Sequence, residues 1–232
     1  MIDAHVHIGP EGSELSAEQL IAQMDRNGIS NALVFPFLGG NFTNRSIEEA
    51  TEKYPDRLTG IGAVNPFDKN AADELERCLK KGFRGLKLHP FLHGLNLSSH
   101  LNDCLFELVR DYKGIVIAHG TSDLYNCPLE FDRMAKRFPE IPIVMAHSGY
   151  FWEWEQAIEI ALENDNLFLE TSRVPVYETE RILEKAGTKK VIWGSDSPYC
   201  DPEQEICKIK RRLREEETKA VLGENLKQIL GM

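Results

Sequence analysis

Two histidines separated by a single residue stand near the start of the chain, in the stretch IDAHVHIGP of residues 2–10. Because successive side chains of a β-strand point to opposite faces, we expect His5 and His7 on one face and Ala4, Val6 and Ile8 on the other. Two imidazoles aimed at one point are typical ligands of Zn²⁺ or a similar ion. A pair of buried, hydrogen-bonded histidines is an equally common explanation of this spacing, so the metal hypothesis needs further ligands.

Further candidate ligands end other apolar runs of the chain. Lys87 and His89 end the fourth run, His119 the fifth, His147 the sixth and Asp196 the eighth. His119 and His147 could instead be core residues, and Asp196 could cap the following helix. Imidazoles and a carboxylate that converge from several strand ends are more economically explained as the donors of a divalent-metal site.

The elements that must position these residues alternate along the whole chain. Eight apolar runs are typical of buried strands, near residues 2–7, 30–36, 58–65, 83–89, 114–119, 142–147, 166–171 and 190–196. Segments of helical period lie between them, with start signals at Ser16 with Gln19, at Ser46 with Glu49, and at Asp201 before Pro202. One βα unit for about every 29 residues predicts a (β/α)₈ TIM barrel.

The last segment, Glu215 to Leu230, is predicted as a helix that closes the barrel, because its apolar residues fall mostly on one side. No linker or composition break divides the sequence, which favours a single domain over residues 1–232. An open, doubly wound sheet is the competing architecture. It ranks second because no glycine-rich phosphate loop follows the first predicted strand.

Composition narrows the class of function. The 232 residues are 42% hydrophobic and 28% charged, as in ordinary globular proteins, and the formal net charge of −10 disfavours nucleic acid or an anionic membrane as partner. A small-molecule substrate is expected instead, and homo-oligomerisation is left open. The five cysteines are odd in number and lack CxxC spacing, and no signal-like or membrane-spanning run is recognised, so we expect a cytoplasmic location.

The ordered motifs resemble the metal-dependent amidohydrolase superfamily, in its amidohydrolase 2 branch, which includes aromatic-acid decarboxylases. The resemblance extends over the whole chain and is carried by DAHVHIG, GLKLHP, IAHG, AHSG, NLFLETS and WGSDSP. It implies that His5, His7, His119 and Asp196 ligate one divalent ion, most simply Zn²⁺. It also implies that His147 lies close by, in a catalytic or second-ligand role.

Other residues of the predicted site keep alternative explanations. Lys87 resembles the carboxylated lysine that bridges two metals in some superfamily members, but it is also suited to contact substrate, which we favour. His89 could line the site or fix the turn before Pro90, and Tyr150 could touch substrate from its place after the sixth strand. Glu170 could orient a ligand or bond a neighbouring strand.

The resemblance and the donor set imply hydrolysis of an amide, ester or lactone of a small molecule. In this interpretation a metal-activated water attacks, Asp196 shuttles the proton and His147 polarises the carbonyl. The same residues would also permit decarboxylation of a small hydroxy-carboxylic or aromatic acid. A non-catalytic barrel that binds a metal or metabolite is the alternative from another class.

Overall fold

The computed structural model describes residues 1–39 and 42–231. The strands of this part of the chain are β1 (Ile2–Ile8), β2 (Asn31–Pro36), β3 (Leu58–Gly60), β4 (Gly62–Ala63), β5 (Gly85–Leu88), β6 (Ile115–Thr121), β7 (Ile143–Tyr150), β8 (Leu167–Glu170) and β9 (Val191–Ile192). The α-helices are α1 (Ala17–Asn27), α2 (Arg45–Lys53), α3 (Ala71–Lys80), α4 (Pro90–His93), α5 (Asp103–Asp111), α6 (Pro128–Arg137), α7 (Trp154–Glu163), α8 (Val176–Ala186), α9 (Pro202–Lys210), α10 (Glu215–Lys219) and α11 (Asn225–Leu230).

All strand pairings are parallel, in the orders β1-β2-β3 and β4-β5-β6-β7-β8-β9. Both β3 and β4 lie in the third predicted run, so β5 to β9 take the fourth to eighth positions. Strands that alternate with helices in this way form parallel sheets covered by helices. The predicted α/β alternation is confirmed.

Backbone hydrogen bonds join the two sheets at both edges. On one side the N–H of Ile61 donates to the carbonyl of Val34 at 2.9 Å. On the other, the N–H of His7 donates to Ser197 at 2.8 Å, and Val6 forms a parallel bridge with the same residue. The strands therefore form the ring of a (β/α)₈ barrel, in which the last strand segment pairs with the first.

The first strand departs from strict alternation. Its register with β2 shifts between Asp3 and Val6, which places two successive residues, Ala4 and His5, on the inside of the barrel. Val6 packs in the outer core, as predicted, whereas the predicted outward face of Ala4 is wrong. The reason is the irregularity itself, since one extra residue reverses which side chains face inward.

Two apolar layers hold the fold together. The larger lies between the ring and its helices, and the smaller fills the inside of the barrel with residues from β1, β2, β6, β7 and β9. Leu226 and Leu230 of α11 belong to the inner layer and close the end of the barrel opposite the predicted site. Within residues 1–39 and 42–231, no helix has both the length and the hydropathy of a membrane span.

Two of the three predicted helix starts are confirmed. Ser16 and Gln19 form a reciprocal capping box at α1, and Asp201 accepts a hydrogen bond from the N–H of Glu203 at 2.9 Å at α9. The predicted cap at Ser46 is wrong, because α2 begins at Arg45.

The closing helix is present but interrupted. It consists of α10, a π-helical turn over Ala220–Glu224, and α11, with non-helical backbone angles at Gly223. A Cβ atom at Gly223 would lie 3.3 Å from the backbone nitrogen of Ile2. The interruption therefore lets the chain pass close to the start of β1 before α11 turns under the barrel.

Candidate metal centre

The paired histidines of β1 both present Nε2 to the barrel mouth. Nδ1 of His5 lies 3.1 Å from Oε2 of Glu170, and Nδ1 of His7 lies 3.1 Å from the carbonyl oxygen of Pro36. Because both partners only accept hydrogen bonds, each Nδ1 carries the proton and each Nε2 keeps its lone pair. This is the arrangement in which histidines ligate metals.

Asp196 closes the same group from the other end of the chain. Its Oδ1 lies 3.2 Å from Nε2 of His5 and 3.5 Å from Nε2 of His7. The backbone N–H of Asp196 donates to the carbonyl of His5 at 2.8 Å, so the pairing of the last strand segment with β1 positions the carboxylate. Asp196 has φ of 55°, an uncommon conformation for a residue other than glycine.

His147, in the second half of β7, also has a positive φ, 65°. Its Nδ1 lies 3.0 Å from the carbonyl oxygen of Ser172, which leaves Nε2 directed to the site. Its ring centroid lies 5.0 Å from that of His5. Positive-φ residues at functional sites commonly store about 1–3 kcal/mol of strain each, which the surrounding structure must offset.

The fully buried carboxylate of Glu170 holds the ring of His5 in place through Nδ1. Glu170 at the end of β8 accepts hydrogen bonds from the backbone N–H and the hydroxyl of Ser172, at 2.5 and 2.8 Å, in addition to its contact with His5. Gly194 allows this approach, since a Cβ atom there would lie 2.7 Å from Oε1 of Glu170. Of the two roles predicted for Glu170, orientation of a candidate ligand matches the geometry.

His119 of β6 and His89, the residue after β5, lie side by side at the barrel mouth. Their rings stack with centroids 3.8 Å apart, and the ring of His119 meets that of His147 edge-on at 4.8 Å. Nδ1 of His89 accepts a hydrogen bond from the backbone N–H of Leu92 at 3.4 Å. His89 therefore both faces the mouth and caps α4, which joins the two explanations that the sequence left open.

Lys87 is completely buried among these groups. Its Nζ lies 3.0 Å from Nε2 of His5 and 4.5 Å from the centre of the Phe35 ring. Burial lowers the pKa of Lys87 to about 8, although the carboxylates of Asp196 and Glu170 oppose the effect. A buried ammonium of this kind gives up its proton more readily than an exposed one.

Burial also keeps the imidazoles neutral. It is the main cause of the lowered pKa values of His5, His7, His119 and His147, and it lowers the pKa of His89 to about 3. Neutral imidazole is the form that binds a metal.

The carboxylate shows the opposite balance. Burial raises the pKa of Asp196, but the positive charge that the imidazoles of His5, His7 and His147 acquire in acid outweighs that effect and leaves the pKa well below the usual value. Neutral imidazoles and an ionised carboxylate are the donor set that suits a divalent cation.

Three of these side chains already lie close enough to share one ion. Ligand atoms of His5, His147 and Asp196 are all within 4.8 Å of one another, and all three residues are buried. Nε2 of His7 faces the same carboxylate oxygen. The residues present therefore fit a divalent metal ion.

The site opens into a pocket of about 250 Å³ at the barrel mouth. Among the described residues its lining comprises His5, His7, Leu38, Gly39, Lys87, His89, Leu92, His119, His147, Arg173, Asp196 and Tyr199. Every predicted metal ligand is included, as are Lys87 and His89. Tyr150 is not in this lining, so substrate contact by Tyr150 stays a prediction that the pocket does not support.

Sequence reasoning missed Arg173 and Tyr199. Nη1 of Arg173 lies 3.4 Å from Oδ2 of Asp196, and the ring of Tyr199 meets that of His7 edge-on at 5.5 Å. Both residues follow strand ends, in ETSR and SDSPY, so their position on the barrel's mouth side was the available signal. Their side chains carry no spacing pattern that would have distinguished them.

Comparison with known families identifies the chain. A family model described as amidohydrolase (Amidohydro_2) matches residues 2–231. The chain belongs to this amidohydrolase family. The resemblance carried by the sequence motifs is thereby confirmed, and no curated protein matches the chain.

Solved structures of similar fold include both hydrolases and decarboxylases. A probable 2-pyrone-4,6-dicarboxylic acid hydrolase from Acinetobacter baumannii, with citric acid bound, has a TM-score of 0.77 and 19% identity, over 100% of this chain and 99% of its own. A 2,6-dihydroxybenzoate decarboxylase from Rhizobium has a TM-score of 0.76 and 13% identity, over 99% and 98%. At these identities the likeness establishes the barrel fold alone.

A third similar structure contains a metal. The 5-carboxyvanillate decarboxylase from Novosphingobium aromaticivorans, complexed with manganese and 4-hydroxy-3-methoxy-5-nitrobenzoic acid, has a TM-score of 0.76 and 15% identity, over 100% of this chain and 96% of its own. Manganese is thus bound in at least one enzyme that has this fold.

Proposed function

We propose that the protein is a metal-dependent hydrolase that cleaves an amide, ester or lactone of a small molecule. The observation that carries the proposal is the position of the Asp196 carboxylate, which faces Nε2 of both His5 and His7 on the wall of an open pocket. A carboxylate in that position can serve both a metal and a proton transfer.

His5, His7, His119 and Asp196 would hold the ion, for which we propose one Zn²⁺ per chain. Such an ion, when bound, supplies an activated water at neutral pH. The supporting partners of the histidines fit this role, because Glu170 and Pro36 fix the rings that face the carboxylate.

The remaining steps belong to side chains of the pocket. Asp196 accepts a proton from the attacking water and later delivers it to the leaving group. His147, neutral and with Nδ1–H donated to the Ser172 carbonyl, presents the lone pair of Nε2 to the pocket, which suits the proposed second-ligand role. Polarisation of the substrate carbonyl, its other proposed role, would require a proton on Nε2. Lys87, His89 and Tyr150 are proposed to contact substrate, with the pocket lining favouring the first two.

The dimensions of the pocket limit the substrate. About 250 Å³ lies just below the usual range of roughly 300–1,000 Å³ for ligand sites. The lining of the pocket also includes the larger apolar or aromatic side chains of Leu38, Leu92 and Tyr199. We therefore propose a substrate no larger than a single substituted ring.

Decarboxylation is the second candidate, and two cations favour it. Lys87 and Arg173 both line the pocket and could hold a carboxylate beside the metal site. The named activities of two similar structures agree with such chemistry. In that case the metal would anchor a hydroxy-carboxylate, and an acid of the pocket would protonate the ring carbon.

One experiment separates these functions. Purified protein is analysed for metals and then offered a panel of lactones, esters, amides and hydroxybenzoates, with separate detection of acid release and CO₂ release. Acid release that requires the metal and is lost in Asp196→Asn supports the hydrolase. Metal-dependent CO₂ release from a hydroxybenzoate, without acid release from the other compounds, would replace it with the decarboxylase.

A protein that binds metal but turns over none of the panel would favour the non-catalytic barrel instead. We also propose a cytoplasmic location and a single domain over residues 1–232. All five cysteines are free thiols, which agrees with a reducing compartment.

A further inference from the structure

The segment Thr171–Val174 connects β8 to α8 and turns two residues toward the metal centre. Ser172 places its carbonyl oxygen 3.0 Å from Nδ1 of His147, and Arg173 places Nη1 3.4 Å from Oδ2 of Asp196. Arg173 does so with φ of 64°. A non-glycine residue in this conformation persists only where its neighbours hold it.

A lysine of α9 holds this segment from behind. Nζ of Lys208 donates to the carbonyl of Thr171 at 3.3 Å and to that of Val174 at 2.6 Å. One ammonium thus brackets the two residues that face the site. Lys208 is only 8% exposed.

The ammonium is itself fixed by a buried carboxylate. Oε2 of Glu205, one helical turn earlier, lies 2.5 Å from Nζ of Lys208, and Glu205 is 6% exposed. The pair therefore contacts the segment Thr171–Val174 through the two carbonyl groups that Lys208 binds.

Stability alone does not account for this pair. Burying two charges costs desolvation free energy that their attraction often fails to offset, and apolar side chains would fill the same space without that cost. The segment also has other hydrogen bonds, because the N–H of Val174 donates to Thr171 and the hydroxyl of Thr179 donates to Val174. Among the described residues, Lys208 alone donates to the carbonyls of both Thr171 and Val174, so it adds a link between these two carbonyl groups that the other bonds do not provide.

We propose that Lys208, held by Glu205, is a positioning residue that sets the segment Thr171–Val174 so that Ser172 keeps His147 protonated at Nδ1 and Arg173 faces Asp196. The inference rests on the proposed function, because His147 and Asp196 are the working groups of that site. It goes beyond it by assigning control of their orientation to a residue outside the pocket lining.

The test uses Lys208→Met, which keeps an unbranched side chain of nearly the same length and removes its charge. Lys210→Met, at an exposed position of the same helix, is the matched control. Long-range ¹H–¹⁵N spectra of the metal-free proteins at pH 8 report the tautomer of His147, and a His147→Gln variant assigns its signals. Affinity for added Mn²⁺ and the melting temperature are measured on the same samples.

We expect wild type and Lys210→Met to show the Nδ1–H tautomer, and Lys208→Met to show a mixture with Nε2–H. Affinity for Mn²⁺ should fall about tenfold or more in Lys208→Met, the usual scale for losing a partner of a ligand. A lower melting temperature with the tautomer and Mn²⁺ affinity of wild type would overturn the proposal, since that result describes a purely structural role.

If Lys208→Met does not fold, Glu205→Gln provides the same comparison, because it keeps the ammonium and removes only the carboxylate that fixes it. A shift toward Nε2–H supports the proposal, and an unchanged tautomer overturns it. These spectra are recorded without substrate, so their outcome does not depend on whether the enzyme hydrolyses or decarboxylates.

Discussion

Oε2 of Glu170 lies 3.1 Å from Nδ1 of His5, and this contact decides which ring nitrogen of His5 faces the pocket. The carboxylate has no solvent exposure and also binds the backbone N–H of Ser172. It therefore connects the first strand of the barrel to the turn after β8. The orientation of His5, a proposed metal ligand, therefore depends on Glu170, which is not itself a proposed ligand.

Glu170→Gln should weaken metal binding while leaving the fold intact. The amide keeps the shape of the side chain but presents only one acceptor oxygen to His5 and Ser172. We expect divalent-metal affinity to fall about 10- to 100-fold, measured by calorimetric titration of the metal-free protein. Glu163→Gln, at an exposed position of α7, is the matched control and should bind metal like wild type.

Metal removal should leave the barrel folded, because the apolar layers rather than the ion hold the ring together. We expect about one zinc-like ion per chain by elemental analysis. The ion should be absent from His5→Ala and from His119→Ala, and far-ultraviolet circular dichroism should stay native in both variants and after chelation. Unfolding of the stripped protein would contradict this expectation.

Lys87→Met tests whether the buried lysine contacts substrate or bridges two metals. Loss of a charged contact of about 1.5–3 kcal/mol should raise KM by roughly 10- to 100-fold with metal content unchanged. Steady-state kinetics and elemental analysis check both parts. Two ions per wild-type chain, with bicarbonate required for reconstitution, would instead identify a carboxylated bridge.

Asp196→Asn should separate metal binding from proton transfer. The amide keeps an oxygen donor of the same size but is no longer a base, so the ion should stay, bound more loosely. Turnover should fall by a factor on the order of 10² or more, the usual scale for a general base. Asp201→Asn is the control, because asparagine also caps helices well and should preserve turnover. Near-normal turnover in Asp196→Asn would transfer the base role to His147.

Stability should fall as pH rises, in part because of Glu205. Burial raises the pKa of Glu205 to about 7, against the opposing effect of Lys208. The folded state therefore binds a proton more tightly than the unfolded state, whose pKa is about 4.3. This contribution to the free energy of unfolding is complete below about pH 4 and is lost as pH rises through about 7.

Urea unfolding of wild type and Glu205→Gln at several pH values between 5 and 8 measures that contribution. The difference between the two proteins should change by up to about 3 kcal/mol over this range and level off above pH 7. Parallel pH profiles of the two proteins would show that Glu205 does not titrate between these limits.

The sequence predicted the strands well because each is a short apolar run between helical segments. The histidines and Asp196 were recognisable because they end such runs, where a barrel gathers them. The face of Ala4 was not predictable, since the irregularity of β1 depends on pairing with β2 rather than on local pattern. The cap at Ser46 failed because the preceding Asn44 uses its side chain on the backbone of Ala63, a contact of tertiary origin.

Arg173 and Lys208 illustrate the remaining limit. The position of Arg173 depends on a positive φ that no local signal required. Lys208 lies in a run of charges that is typical of an exposed helix face, yet the structure buries it against the carbonyl groups of Thr171 and Val174. Only the packing of α9 against the turn after β8 distinguishes it from its neighbours.

The pairing of the last strand segment with the first has a consequence for the order in which the molecule is assembled. The N–H of Ser195 binds Oδ1 of Asp3, across 192 residues of sequence, and the neighbouring contact joins Asp196 to His5. Contacts of such separation form late in folding, because a long loop must first be closed. During synthesis, His5 and His7 therefore leave the ribosome before Asp196 has been made. A chain arrested before its eighth barrel strand lacks Asp196 and cannot form the complete set of proposed metal ligands. We therefore expect loading of the proposed metal ion to be a final step of maturation, available only to molecules whose ring has closed.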